Sequence, residues 1–593
     1  MRHGWGRDWW VCSGRLVGCD GSVGVLYYPY CVATIVRKRK GGRDYYYWAR
    51  SARVGGKPRI VEQVYLGTAD ALREARERCE PAVTRRRAAG PLVLWAQAER
   101  LGLRALIDAE VSTGGLAHSV GTYLQLIVCN RAHAPCAKLR LREWYEKTAL
   151  QSVLSVPARD LDHRRIWDAM DQVPEAAIEA IEQQLCERLA AAGRLGDDEL
   201  LVFDPTNLYT FIASENARNT IARRGHNKQK RHDLRQVGLA LLTTRTHQLP
   251  LLHHVYAGDR PDAPTTRELA ERLRRRFDAV LQRASRVTVV YDRGSHSDEL
   301  LQLFEPGEFH FVCGLQANRY RQRLQVPRSE LTGLPELPGF QAKRSEVTIA
   351  GRGYTLVCVR SDSFAERQAH GFRQTLAKAQ RELNELQRVT EGGRGRRTRR
   401  QLELIVADLL RPRHLKRVLT VDIAGPEDKP TLTHTLDLDA LSELHERTFG
   451  RSLLLTDRHD WTDAEIIAAY HALNRNEQAI RRTKNTDYLA ARPIYHWTDQ
   501  KIHVHLFCCV LALLLTNSIW QQAANADINA SPERLLQALA EFDQIELVYP
   551  PAGGGRGRPR VRRHLAEPTQ LQLDLLAALD YDPNQVGTTP ATT

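Results

Sequence analysis

The sequence lacks the marks of several large protein classes. Its 11 cysteines are scattered, with no Cys-x-x-Cys pair, which argues against a disulfide framework and against a zinc site. Cys508 and Cys509 fall in an apolar helical stretch, where thiols are commonly buried. His503 and His505 lie close together but nothing at ligand spacing joins them, so helix packing or a phosphate contact is their expected role. The longest apolar run, residues 506–515, is far shorter than the ~18–20 residues a membrane span needs. Asp8 interrupts any apolar segment near the first residue, so that stretch does not read as a signal peptide. A soluble intracellular chain with no membrane partner is expected.

Positive charge is what the sequence has in excess. Lys and Arg number 85 against 70 Asp and Glu, a formal net charge of +15 in 593 residues. Such an excess favours a polyanionic partner, through steering and counterion release. The length calls for several domains.

Residues 1–31 carry Trp5, Trp9 and Trp10 without a clear period and are assigned no role. Residues 32–68 read as three strands separated by Gly-Gly turns. Lys and Arg crowd them, interleaved with Tyr45, Tyr46, Tyr47 and Trp48. That pattern suits a DNA-binding module; a solvated edge decorated with Lys and Arg is the plainer alternative. Residues 69–197 turn helical, with one apolar stripe at Leu92, Trp95, Ala98 and Leu101 and another at Ile178, Ile181, Leu185 and Leu189. This helical domain is also assigned to DNA binding.

From residue 198 to 316 short, largely apolar, β-rich runs alternate with an amphipathic segment over 265–281. An α/β core with a mostly buried sheet is expected there. Residues 317–450 read as an inserted mixed α/β subdomain. Within it Phe372, Leu376, Ala379, Leu383 and Leu386 predict a coiled-coil-like helix over 364–387, joined to a second helix near 401–410 by a tip containing Arg394, Arg396, Arg397, Arg399 and Arg400. Residues 451–525 return to the core, and 501–520 form a long apolar helix expected inside it. Residues 526–593 supply a terminal helix, a basic hairpin and a tail of disordered composition.

Two acidic residues end core strands: Asp204 closes LLVFD and Asp292 closes VTVVYD. Carboxylates at the carboxyl ends of buried α/β strands point into the crevice where such sheets bind ligands, although turn formation explains such residues too. A third carboxylate lies on the run WTDAEIIAAYHALNRNEQAIRRTKN. Thr462 and Glu465 have capping-box spacing, which predicts a helix from Asp463. At 100° per residue Tyr470, Asn474, Glu477, Arg481 and Lys484 share one stripe. The modest alternative is that Glu477 and Arg481 form an ordinary surface pair. Three converging carboxylates would repel one another unless a cation neutralised them. Oxygen donors without His or Cys select Mg²⁺ or Mn²⁺, and a pair of such ions suits displacement at phosphodiesters.

These motifs resemble the RNase H-like DDE transposases of bacterial insertion sequences, most closely the insertion-sequence-four-like group with its Tyr-Arg-Glu-Lys signature. FDPTN (203–207) is similar to the first-Asp motif, YDRGSHS (291–297) to the second and EQAIRRTK (477–484) to the third; HHVYAGDRPD (253–262) and residues 491–515 also resemble family segments. The resemblance spans about residues 32–580. It implies an RNase H-like mixed sheet core with helices, interrupted by the inserted subdomain and preceded by a small β-sheet and a helical domain. It further implies that Asp204, Asp292 and Glu477 hold two Mg²⁺ (or Mn²⁺) ions and that Tyr470, Arg475, Arg481 and Lys484 contact DNA. The implied activity is cutting of the element's ends and joining of the freed 3′-hydroxyl to target DNA. The implied partners are double-stranded DNA, as terminal inverted repeats and target, and a second copy of the chain in a homodimer. The implied location is the bacterial cytoplasm, with the nucleoid. One departure is that Leu473 stands where the signature has Arg. A nuclease without strand transfer and a catalytically silent DNA-binding protein are the alternatives.

Overall fold

The computed structural model describes residues 9–12, 15–18, 23–24, 32–54, 57–73, 83–195, 198–213, 216–225, 231–261, 272, 286–296, 301, 309–316, 320–392, 397–549 and 560–582. All of the expected helix over 265–281 except residue 272, Arg394 and Arg396 of the basic tip, and the 583–593 tail lie outside these residues, as does most of the turn between the last two strands. The chain divides into two compact units: residues 1–87 with 544–564, and residues 88–543 with 565–593.

In the first unit, Val32–Lys40, Arg43–Val54 and Lys57–Thr68 form an antiparallel three-stranded sheet. Gly41 and Gly42 turn its first hairpin at φ values of 58° and 79°, a left-handed conformation that glycine adopts without strain. On one face Lys38, Tyr45, Tyr47 and Tyr65 cluster, with Lys38 Nζ 5.0 Å above the Tyr47 ring. Ile35, Val61 and Val64 are exposed. A second small sheet joins Val83–Ala88, Asp543–Tyr549 and Arg560–Leu565. There Glu546, nearly buried, accepts from Arg87 Nε at 2.9 Å and Arg563 Nε at 3.1 Å. Burial alone would raise its carboxyl, but the two guanidiniums hold it below the usual range.

The second unit is built on a mixed nine-stranded sheet, so the chain is α/β. We number its strands β1 (Asp198–Thr210), β2 (Arg235–Thr244), β3 (Pro250–Ala257), β4 (Arg286–Tyr291), β5 (Phe309–Gly314), β6 (Thr332–Gly333), β7 (Phe340–Ile349), β8 (Arg352–Ser361) and β9 (Arg451–Thr456). Their order is β3-β2-β1-β4-β5-β9-β8-β7-β6. β1, β2 and β3 pair antiparallel, β4 pairs parallel with both β1 and β5, and β9 returns antiparallel.

The main helices of this unit are α1 (Val120–His133), α2 (Asp362–Glu391), α3 (Asp463–Lys484) and α4 (Asp499–Asn525). The α4 helix is apolar on all sides because it is packed on all sides. It lies against α1 and β3, and Phe507, Leu511 and Leu515 are buried. By length and composition it is apolar enough to cross a membrane, yet nearly all of its apolar stretch is buried inside the fold. The short run seen in the sequence is thus the middle of a 27-residue core helix. Cys508 and Cys509 sit inside it as free thiols, and burial pushes both thiol pKa values up. His505 belongs to packing: its ring meets Lys138 Nζ at 3.0 Å and the Ala491 carbonyl at 3.2 Å.

The expected insertion differs from the observed one in extent. β6, β7 and β8, within residues 317–450, hydrogen-bond into the main sheet, and β8 pairs with β9 through six residues a side. Backbone pairing with β9 and burial of Leu356, Val357 and Val359 draw this hairpin into the core. Only the stretch from α2 to Phe449 has a separate core. In it Phe372, Leu376, Leu383 and Leu386 of α2 pack against Leu402, Val418, Leu432 and Phe449. The second helix of that subdomain is Arg399–Leu409, begun by a Thr398/Gln401 capping box.

Candidate functional site

Side chains alternate across a strand, and the core of the second unit splits along that alternation. Leu201, Phe203, Val289, Tyr291, Phe311 and Cys313 belong to the large core that contains α4. Leu200, Val202, Val290 and Val312 belong to a second cluster, completed by Ile466, Ile467, Ala469 and Ala472 of α3. The next positions on this α3-facing side are Asp204, Asp292 and Gly314.

The parallel register aligns these three. Phe203 pairs with Tyr291 and Tyr291 with Cys313, so Asp204, Asp292 and Gly314 form one row across β1, β4 and β5. Neighbouring strands are about 4.8 Å apart, which sets the two carboxylate-bearing backbones roughly that close. Asp292 opens a turn in which Ser295 N–H donates to the Asp292 carbonyl at 3.0 Å. Asp292 follows the end of β4 as expected, but Asp204 does not close its strand: β1 keeps pairing with β2 to Thr210, so Asp204 sits within it, on the face toward α3.

α3 begins at the capping box anticipated from the sequence: Glu465 N–H donates to Thr462 Oγ1 at 3.2 Å, and Thr462 N–H donates to the Glu465 carboxylate at 2.8 Å. Its apolar side packs across β1, β4, β5 and β9. Two polar side chains on its stripe reach the sheet. Tyr470 donates its hydroxyl to Asp292 Oδ1 at 3.0 Å. Burial, reinforced by the Asp292 carboxylate, holds the Tyr470 phenol well above its ordinary pKa, so it stays a donor. Two helical heptads later Lys484 Nζ hydrogen-bonds Thr206 Oγ1, the next residue after Asp204 on the same face of β1. The helix therefore crosses the row obliquely, from Asp292 to the strand that carries Asp204.

Gly314 makes this crossing possible. A Cβ there would sit 2.3 Å from Tyr470 Oη, so only glycine leaves room for the phenol beside Asp292. Gly314 and Thr206 were not singled out in the sequence. Thr206 was visible within FDPTN, two residues after the acid, whereas nothing local marks Gly314.

Glu477 lies on α3 midway between Tyr470 and Lys484, about 10 Å along the axis from each. Its carboxylate accepts from Arg481 at 3.0 Å, with both side chains more than half exposed. Asp204 is half-buried and Asp292 exposed. Among the described residues, no three His, Cys, Asp or Glu side chains lie close enough to hold one metal ion. Asp204 and Asp292 share a row while Glu477 is turned toward Arg481. The three carboxylates expected to converge are therefore not gathered around one point in this structure; two of them are level, and the third lies on the facing helix.

Leu473 packs against the α3–sheet cluster rather than facing solvent, which accounts for an apolar residue at the signature's Arg position. The Arg475 side chain lies outside the described residues. A further acid, Asp457, follows the end of β9 beside the start of β5. It accepts from Phe311 N–H at 2.8 Å and contacts His310 at 3.1 Å, a structural use.

Scans against protein-family models and against curated proteins find no match. Among solved structures, the chain is similar to a piggyBac transposase in a synaptic complex with hairpin DNA. The identity is 9%, the TM-score 0.36, and the overlap covers 76% of this chain and 79% of that one. A likeness of that size says nothing by itself about chemistry.

Proposed function

We propose that this chain is a transposase: a Mg²⁺-dependent DNA nuclease and strand transferase on an RNase H-like core. The observation that carries the proposal is the Asp204–Asp292 row on adjacent parallel strands, crossed by the helix that bears Glu477 between Tyr470 and Lys484. Three antiparallel strands followed by two parallel ones, in the order β3-β2-β1-β4-β5, are consistent with that core. The net charge of +15 suits a DNA substrate.

In this reading Asp204, Asp292 and Glu477 would hold two Mg²⁺ or Mn²⁺ ions, which when bound supply Lewis acidity to the attacking and leaving oxygens of a phosphodiester. The chain's own residues prepare that site. Tyr470 fixes the Asp292 carboxylate by donating to one oxygen. Lys484, anchored at Thr206, brings a cation beside β1 that neutralises a backbone phosphate. Arg481 holds Glu477 until a phosphate competes for the guanidinium, and Arg475 is a further DNA contact. The substrates are an element's terminal inverted repeats and target DNA, handled by a homodimer in the bacterial cytoplasm.

Arg481 closing on Glu477 favours one second reading, a DNA-binding protein without catalysis. A supercoiled-plasmid assay with labelled end DNA and Mg²⁺ separates the readings. The wild type is expected to nick the end DNA and join its 3′-hydroxyl to the plasmid. Asp204→Asn and Asp292→Asn are each expected to lose roughly 10³–10⁴-fold in cleavage while binding DNA as before. Cleavage without joining leaves a nuclease; full cleavage by either variant removes that residue from the site.

A further inference from the structure

Past Lys484 the chain leads to a surface that the cleavage reading does not use. Ile494 bridges Thr210 at the end of β1, and Phe211 N–H donates to the Ile494 carbonyl at 2.8 Å. Phe211 and Tyr495 rings lie 5.5 Å apart. Tyr495 and Trp497 are two residues apart in a non-helical stretch, and His496 between them turns inward, its ring 4.8 Å from buried His505. Tyr495 and Trp497 therefore project together, away from the core. Phe211, Tyr495 and Trp497 are 49%, 61% and 60% exposed. Single exposed aromatics are common; three together on one unit's surface are a patch.

The surroundings of this patch are cationic. Asn216 Nδ2 donates to the Trp497 carbonyl at 2.8 Å, which sets the 216–225 loop beside it. Exposed Arg218 lies in that loop, Arg235 reaches the Asn216 carbonyl, and Arg492 Nε donates to the Lys484 carbonyl at 2.9 Å. The nearby carboxylate of Asp499 is occupied by Thr220 and by the Ile221 N–H. Arginines around rings fit a ligand that carries both phosphates and flat faces, rather than an apolar protein partner. From Asp204, β1 runs on to Thr210, immediately before Phe211, so the two residues are seven apart, or about 23 Å at the strand rise. That distance matches some seven nucleotides at 3.4 Å each.

We infer that Phe211, Tyr495 and Trp497 form a stacking platform for unpaired DNA bases, with Arg218, Arg235 and Arg492 on the adjoining phosphates. Stacking on aromatic rings tolerates any base, so the platform binds single strands without a sequence preference. The inference rests on the DNA reading above and adds to it a strand that has left the duplex.

The test is fluorescence anisotropy on the full chain at fixed salt, with a labelled oligodeoxythymidine and, separately, a duplex of equal length. Trp497→Ala and Tyr495→Ala are each expected to weaken oligothymidine binding roughly tenfold and to leave duplex binding within about twofold; Trp497→Phe, which keeps a ring, restores most of it. Alanine variants that bind the single strand like wild type overturn the platform, as does a Trp497→Phe no better than Trp497→Ala. A wild type that binds duplex but not oligothymidine overturns the platform alone. Binding of neither overturns the DNA reading with it.

Discussion

The two faces of the central sheet have the same strands and different occupants. On one face Phe203, Tyr291 and Phe311 enter the core that contains α4, a helix apolar all round and closed to water. On the other, α3 is apolar only where it meets Leu200, Val202 and Val290, and its remaining stripe carries Tyr470, Glu477 and Lys484 over the acidic row. The first face maximises buried area. The second gives up part of that area so that charged groups stay within reach of water and ligand. Stability and chemistry are thereby assigned to opposite sides of a single layer.

Four changes would break or sharpen that division. The largest effect is expected on the closed face. Phe507 is fully buried and stacks on His253 at 5.9 Å, so Phe507→Ala should cost about 3–5 kcal/mol in urea unfolding and leave cleavage per folded molecule unchanged. A proportionate fall in turnover would show that the faces are coupled. On the open face, Gly314→Ala forces a Cβ to within 2.3 Å of Tyr470 Oη. Stability should fall by about 1–3 kcal/mol and cleavage should fall with it; the stability cost should shrink in a Tyr470→Phe background, a double-mutant cycle that reads the contact directly.

Lys138 tests the closed side by pH. It is buried against His505 beside Arg131, with thiols rather than a carboxylate as its partial counterweight among the described residues. Burial pulls its amine down to about 7, against ~10.4 in an unfolded chain. Between those values the unfolded state keeps a proton that the folded state has shed, so stability should rise with pH across that window. Lys138→Met should flatten the rise and stabilise most below pH ~7, as read from urea midpoints at several pH values. The smallest effect belongs to Arg481→Gln. The pair with Glu477 is mostly exposed, so stability should move by no more than about 0.5 kcal/mol. By freeing Glu477 the change should lower the Mg²⁺ concentration for half-maximal cleavage by roughly twofold; an unchanged or higher requirement would mean that Arg481 does not restrain the carboxylate.

Much of this division could be read from residue order. The Thr462/Glu465 box marked the start of α3 to the residue, and the α2 stripe marked its buried side, because caps and helical periodicity are local in sequence. The end of β4 was legible because its apolar run stopped at Asp292; the same signal at Asp204 misplaced the end of β1, which pairs with β2 on to Thr210. Other features depended on partners far away in the chain. Residues 332–361 looked like part of an insertion because their alternating pattern fits any sheet, and only pairing with β9 decided which one. Glu477 and Arg481 had the spacing both of a site and of a surface pair, and side-chain packing settled on the pair in this state.

The sequence by itself determined most of the elements, their polarity and the acids that follow their apolar runs, since these follow from neighbours a few positions away. Tertiary structure alone decided that Asp204, Asp292 and Gly314 stand level, and that Tyr470 enters above the glycine. Register between parallel strands is set by packing of residues tens of positions apart, and no local pattern encodes it.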